Sequence, residues 1–288
     1  MTEQQPEWVQ IADIPSQYDV TEFYHQLEAQ GIRFRLRERG DMVELWVAAT
    51  EDVREVVRML QDYSIHHPPP PPPGMPQLGF KEQVQKMPVV VVLILLSIVG
   101  SAIVDWGFPL IHWFTFQDFE LFGDSISFDT ADEAMNKGQY WRLITPIFLH
   151  FGIFHVAFNS VWMWELGRRI EPLAGSMHML MVVLLMALAS NIAQYLWSGP
   201  SLFGGMSGVV YGLLGYVWMR NKVAPRPILA LPSGLLVFML VWLFAGMTGL
   251  IDLLISGSIA NAAHGAGLVS GMVLGIWSGK VESGGDRQ

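Results

Sequence analysis

Gly205-Met206-Ser207-Gly208 opens an apolar segment that runs to Arg220, and its reading decides the fold. The stretch just before it, Ser198-Gly199-Pro200-Ser201-Leu202-Phe203-Gly204-Gly205, carries glycine and proline where a helix would not continue. Irregular backbone at membrane depth persists only where protein buries it or a water-filled cavity solvates it. The loop is therefore expected to dip into a bilayer and to leave Ser207 at a helix start inside it. A second apolar segment, 57 residues on, carries His264 in Ala263-His264-Gly265-Ala266-Gly267. A serine and a histidine so placed read either as a nucleophile with its base or as polar packing groups.

The rest of the chain supports a membrane setting. Of 288 residues, 51% are hydrophobic and only 15% charged, too apolar for an ordinary soluble domain. With no cysteine, disulfides, thiolate metal sites and a cysteine nucleophile are excluded. No basic patch points to nucleic acid, and no Gly-rich phosphate loop with a lysine points to ATP. The polar, acidic start MTEQQPEWVQ is not expected to be a cleavable signal peptide.

Residues 1–65 read as a small α+β domain with the order β-α-β-β-α. Val20, Phe23, Tyr24 and Leu27 follow helical spacing, whereas Ile32, Phe34 and Leu36 alternate with arginines as a half-buried strand does. Thr50 is expected to cap a last helix with Val53, Val56, Val57 and Leu60 inward. His66 and His67 then precede the run Pro68–Pro73, which favours polyproline II, so 66–87 reads as a stiff linker. The two histidines read as part of that linker in preference to a metal site.

Six apolar segments follow, roughly 88–108, 145–167, 177–197, 207–219, 227–246 and 260–279, and most match the 20 or so residues that span a bilayer. Lys81, Lys86, Arg168, Arg169, Arg220, Lys222, Arg226, Lys280 and Arg287 share one side if both termini do. The other side has Lys137 and Arg142. The positive-inside rule then puts both termini in the cytoplasm. The long loop 109–140 falls outside, with Trp113, Phe114, Phe116, Phe119 and Phe122 expected at the membrane interface.

Polar residues within spans are expensive and face the protein interior. His155 on the second span, Ser207 and His264 stand roughly 20–24 Å from the cytoplasmic basic residues at 1.5 Å per residue, and Asn159, also on the second span, lies one turn deeper, so all four are at similar heights. Gly208, Gly212 and Gly215 on one segment and Gly267, Gly271 and Gly275 on the other are spaced for close helix packing. Tyr211, one turn past Ser207, is placed to pack on a neighbouring ring. A histidine base with no acid behind it would make a dyad, and the Ser207 amide, Asn159 and His155 are candidate oxyanion donors. His150 lies nearer the outer surface and is expected to shape the site or its loop.

In this ordered set the chain resembles the rhomboid intramembrane serine proteases, with the GlpG-type layout. The matching pieces are Trp141-Arg142, His150 with His155 and Asn159, Gly205-Met206-Ser207-Gly208, and Ala263-His264 with Gly267 and Gly271. The resemblance implies an all-α polytopic membrane protein, with a six-helix core at 88–280 and a tail at 281–288 behind the α+β domain. It implies that Ser207 is the nucleophile and His264 the base, with His155 and Asn159 at the oxyanion. Arg142 would hold the loop 109–140, residues 246–258 would cap the site, and Phe238 and Trp242 would form a lateral gate. No cofactor or metal is implied. The implied partners are the lipid bilayer and transmembrane protein substrates, with self-association left open. The implied location is a bacterial inner membrane, with the site open toward the periplasm. A transporter would need a polar path through both halves of the membrane. Here the cytoplasmic half is apolar apart from Glu165. A non-catalytic escort of this fold would lack the serine or the histidine.

Overall fold

The computed structural model describes residues 7–67, apart from 17 and 41, and 79–285, apart from 124 and 249–258. The chain divides into two compact units, residues 1–77 and 78–288.

In the first unit, β1 (Trp8–Pro15), α1 (Thr21–Ala29), β2 (Phe34–Arg39), β3 (Met42–Ala48) and α2 (Val53–His66) follow the expected order. The sheet is antiparallel with β3 central, in the order β1-β3-β2. Phe23, Leu27, Leu45, Val47 and Val56 form its buried core. Two local expectations fail. The cap of α2 is Asp52, whose carboxylate accepts from the amides of Arg54 and Glu55, while Thr50 instead accepts from Arg33. Asp52 stands directly before the first helical residue, where a side-chain oxygen reaches the orphan amides. Leu36, on the edge strand β2, is 44% exposed, whereas Phe34 on the same strand stacks on Tyr24 of α1. Of the expected linker, 68–78 lies outside the described residues, and Phe80–Lys86 forms a helix, α3.

The second unit continues with α4 (Pro88–Asp105), the short α5 (Phe108–Ile111), a hairpin of β4 (Phe119–Phe122) and β5 (Ser125–Phe128), and α6 (Ala131–Asn136). After two 3-10 turns come α7 (Ile153–Ala174), α8 (Ser176–Ser198), α9 (Ser207–Val223), α10 (Ser233–Met247) and α11 (Asn261–Gly285). The six apolar segments thus become the six long helices α4 and α7–α11, with shifted ends. The second was expected to begin at 145, but Pro146 and Gly152 (φ 107°) hold 145–152 in turns and α7 starts at Ile153. The fifth was expected from 227, but Pro232 stands at the N-cap and α10 starts at Ser233.

Three stretches, Pro88–Asp105, Ser176–Ser198 and Pro227–Met247, are long and apolar enough to cross a membrane by length and composition. The shorter α9 is the centre of the bundle, buried at every position from Gly208 to Val217. A helix covered all round belongs to a core, and here its neighbours carry the outward apolar surface. Leu95, Leu96, Phe158, Val161, Met181, Leu185, Val241 and Val273 point outward, whereas Ser97, Asn159, Asn191, Gln194 and His264 are buried. This inverted distribution is that of a protein solvated by lipid.

Ion pairs close one end of the bundle. The Glu171 carboxylate accepts from the Val89 and Val90 amides, both at 2.9 Å, and so caps α4. Glu165 binds Arg168 and Arg169, and Glu282 binds Arg220 and Arg226.

Candidate active site

Ser207 is the first residue of α9, and the loop before it is shaped by two histidines, His150 in the turns ahead of α7 and His155 on α7. Gly205 has φ 112°, a conformation that favours glycine, and its amide donates to the Pro146 carbonyl at 3.0 Å. A Cβ on Gly205 would lie 2.7 Å from Cε1 and Nε2 of His155 and 3.8 Å from Ser207 Oγ. The tip of the His155 ring and the serine hydroxyl therefore approach one point, and only a glycine leaves it open. His150 is fully buried. Its Nδ1 lies 3.0 Å from the Phe148 carbonyl and its Nε2 3.3 Å from the Met206 amide nitrogen. The carbonyl requires a proton on Nδ1 and the amide requires an acceptor at Nε2, so one neutral tautomer serves both. His150 thus fixes the residue before Ser207. Its ring meets His155 edge-on at 4.9 Å. Asn159 is buried one turn along α7 from His155, on the same face.

The Ser207 Oγ and His264 Nε2 atoms lie 2.7 Å apart, a full hydrogen bond between α9 and α11. Three features hold the ring there. Tyr211 packs on it with centroids 4.9 Å apart, and the Tyr211 hydroxyl donates to the Met239 carbonyl of α10 at 3.1 Å. Beyond the ring, α11 presses backbone against backbone on α9. A Cβ on Gly267 would sit 1.9 Å from the Gly208 carbonyl oxygen, and one on Gly271 would sit 1.8 Å from that of Gly212. Gly275 meets Tyr216 and Gly279 meets Val223, so the contact extends one step past the glycines singled out from sequence. The third feature was not anticipated. Gln194 of α8 reaches across to the residue before His264, where its Oε1 accepts from the Ala263 amide at 3.1 Å.

Among the described residues, no carboxylate is bonded to His264, and no cluster of three or more histidine or acidic residues could hold a metal.

The loop 109–140 is anchored on Arg142, which is fully buried. Its Nε donates to Gln139 at 2.8 Å, Nη1 to the carbonyls of Thr115, at 3.1 Å, and His112, and Nη2 pairs with Asp118 at 3.1 Å. Trp141 donates from Nε1 to the Trp113 carbonyl at 3.0 Å. Not all the loop aromatics face outward as expected. Trp113 and Phe122 are exposed, but Phe119 is buried, and Phe116 is wedged between Tyr195 and Phe203. Phe203 and Ser201, which accepts from Gln117 through its carbonyl, belong to the loop that leads into Ser207. The loop 109–140 therefore braces the approach to Ser207. Of the expected cap over 246–258, residues 249–258 lie outside the described residues. At the expected gate, Phe238 stacks on Trp242 and lies 5.9 Å from Trp162 of α7, centroid to centroid.

Comparison with known proteins agrees with this architecture. The rhomboid domain family matches residues 137–280. The rhomboid protease GlpG of Serratia proteamaculans (strain 568) is 32% identical over 278 residues, which cover 88% of this chain and 91% of that protein. The rhomboid protease GlpG of Yersinia pestis (strain Pestoides F) and that of Yersinia pseudotuberculosis serotype O:3 (strain YPIII) are each 42% identical over 145 residues, about half of either partner's length. A serine protease embedded in the membrane is thus the class that fold and relatives define together. The chain belongs to the rhomboid family. The small three-stranded unit ahead of the helices, and a likeness that runs over nearly the whole chain, make it GlpG-type.

Proposed function

We propose that this protein cleaves single-span membrane proteins in or near their transmembrane helix by a Ser207–His264 dyad, through an acyl-enzyme. The 2.7 Å contact of Ser207 Oγ with His264 Nε2, at a buried helix start, carries the proposal. Neutral His264 takes the Ser207 proton as Oγ attacks the scissile carbonyl. The tetrahedral oxyanion collapses with loss of the amine, which receives that proton from His264 Nε2. Water, deprotonated by the same nitrogen, then attacks the ester and releases the acid, and the proton returns to Ser207 Oγ. The Ser207 amide, His155 and Asn159 are the proposed oxyanion donors. The convergence of the His155 tip and Ser207 Oγ on the open point at Gly205 supports His155, the place of Ser207 as first residue of α9, where an amide has no acceptor in its own helix, supports its amide, and the burial of Asn159 on the same face supports the third.

A substrate helix hides its carbonyls in its own hydrogen bonds, so the bond to be cut must first unwind. Helix-destabilising residues near the site should favour cleavage. Phe238 and Trp242 are the proposed lateral gate. The bacterial relatives support an inner-membrane location, and the charge asymmetry supports both termini in the cytoplasm with the site open to the periplasm. Residues 1–65 then form a cytoplasmic domain joined by a linker to the protease core at 88–280.

The test is cleavage of a helical membrane substrate by purified protein, in parallel with fluorophosphonate labelling. Ser207→Ala and His264→Ala should each lose at least about 1,000-fold in rate, with labelling confined to Ser207 in the wild type. Retained cleavage by either variant would sink the dyad, and a label on another serine would move the nucleophile.

A further inference from the structure

We propose that Gln194 is a positioning residue, a helix cap supplied by α8 that holds the first turn of α11, and with it His264, against Ser207. The inference rests on His264 acting as the base. It starts from the orphan amides of a helix start, which have no acceptor within their own helix. In α11 the Asn261 amide donates to the Ile259 carbonyl, and the His264 amide, donating to Ala260 at 3.2 Å, makes the first helical turn. Ala263 lies between them. Its amide is buried, and it is the Gln194 oxygen, at 3.1 Å, that satisfies it. An orphaned buried donor is costly, so the bond favours the arrangement in which this turn is formed.

The geometry of α8 explains why this side chain has that task. Met186, Ser190 and Gln194 follow i, i+4, i+8 spacing and line one ridge. Met186 fills the space beside Gly212, Ser190 lies where a Cβ on Gly208 would fall, and Gln194 passes beyond the start of α9 to reach α11. Ala263 is therefore gripped twice. Its amide is held by Gln194, and its carbonyl oxygen stands 3.2 Å from the Cβ position of Gly208. The next residue is His264. The glycine contacts fix α11 from Gly267 onward, one turn later. Among the described residues Gln194 is the acceptor bonded to the Ala263 amide, so without it the turn that carries the base is free to fray.

The test uses the full-length protein in lipid nanodiscs with three variants. Gln194→Met keeps the length of the side chain and removes the oxygen acceptor, Gln194→Glu keeps an acceptor, and His264→Ala is the reference. Gln194→Met should lower kcat and the rate of fluorophosphonate labelling together by about tenfold, the size of a lost cap, with KM unchanged, and Gln194→Glu should regain most of both. Wild-type labelling by Gln194→Met overturns the proposal, as does equal loss in Met and Glu variants accompanied by an equal fall in melting temperature. If Gln194→Met does not fold, hydrogen exchange of the wild type decides. The Ala263 amide should exchange far more slowly than the preceding Ala262 amide, and equal rates overturn the cap. Failure of the dyad itself reads differently, because His264→Ala would then still cleave.

Discussion

Helices α11 and α10 both lean on α9, by opposite means. The α11 contact is glycine on backbone at Gly267 and Gly271, with no side chain between to give way. The α10 contact is made by side chains and one hydrogen bond, from the Tyr211 hydroxyl to the Met239 carbonyl. Met239 and Leu243 are buried, but Val237, Val241, Phe244 and Met247 point away, and the aromatic pair Phe238 and Trp242 is about half exposed. Backbone-to-backbone packing has few alternative arrangements, whereas a helix held by a few side chains and a hydrogen bond has many. The rigid contact carries His264 and the yielding one carries the proposed gate. On the proposed function, a protease that keeps its dyad aligned while admitting a helix needs both.

The strongest way to break the contrast is to put a side chain into the rigid contact. Gly271→Leu should cost well above the 1–3 kcal/mol or so of ordinary overpacking, because the obstacle is the Gly212 carbonyl and not a movable side chain. The expected result is no folded protein by thermal melting and no cleavage. Wild-type melting and cleavage would show that α11 slides after all.

Much of this contrast was legible in the sequence. Four-residue glycine spacing and a common depth brought Ser207, His264, His155 and Asn159 to one level, because helical rise converts position into height. The apolar runs gave the six long helices. Their ends were misread where Pro146, Gly152 and Pro232 interrupt an apolar run without changing its hydropathy. Loop contacts have no periodicity to read, so the three carbonyl and carboxylate groups around Arg142, and the inward turn of Phe116, emerge only in three dimensions. Gln194 had a signal that went unused: with Ser190 and Asn191 it makes the polar cluster of an otherwise apolar segment. Its partner, a backbone amide on another helix, leaves no mark in sequence.

Tyr211 joins the two sides, since its ring rests on His264 and its hydroxyl holds α10. Tyr211→Phe separates the roles. Losing the bond to Met239 should lower stability by about 1 kcal/mol, seen as a small drop in melting temperature, while fluorophosphonate labelling stays near wild type because the ring remains. Tyr211→Ala should depress labelling as well. If the phenylalanine variant labels as poorly as the alanine one, the hydroxyl and α10 help to place the base, and the division between rigid and yielding sides is wrong.

The smallest effect on stability is expected on the yielding side. Phe238→Ala removes a ring that is 47% exposed and touches Trp162 and Trp242 at 5.9 and 6.1 Å between centroids. Its outward half faces lipid, where truncation forfeits little transfer energy, so the cost should fall below the 3 kcal/mol or so of a fully buried phenylalanine. A small fluorophosphonate does not need the gate, and its labelling rate should not change. If the proposed gate admits a helical substrate, the kcat/KM for that substrate should change. A large fall in melting temperature would mean that α10 is part of the rigid frame. If labelling and helix cleavage moved by the same factor, Phe238 would be acting on the dyad, and substrate entry would have to be sought on another side of the bundle.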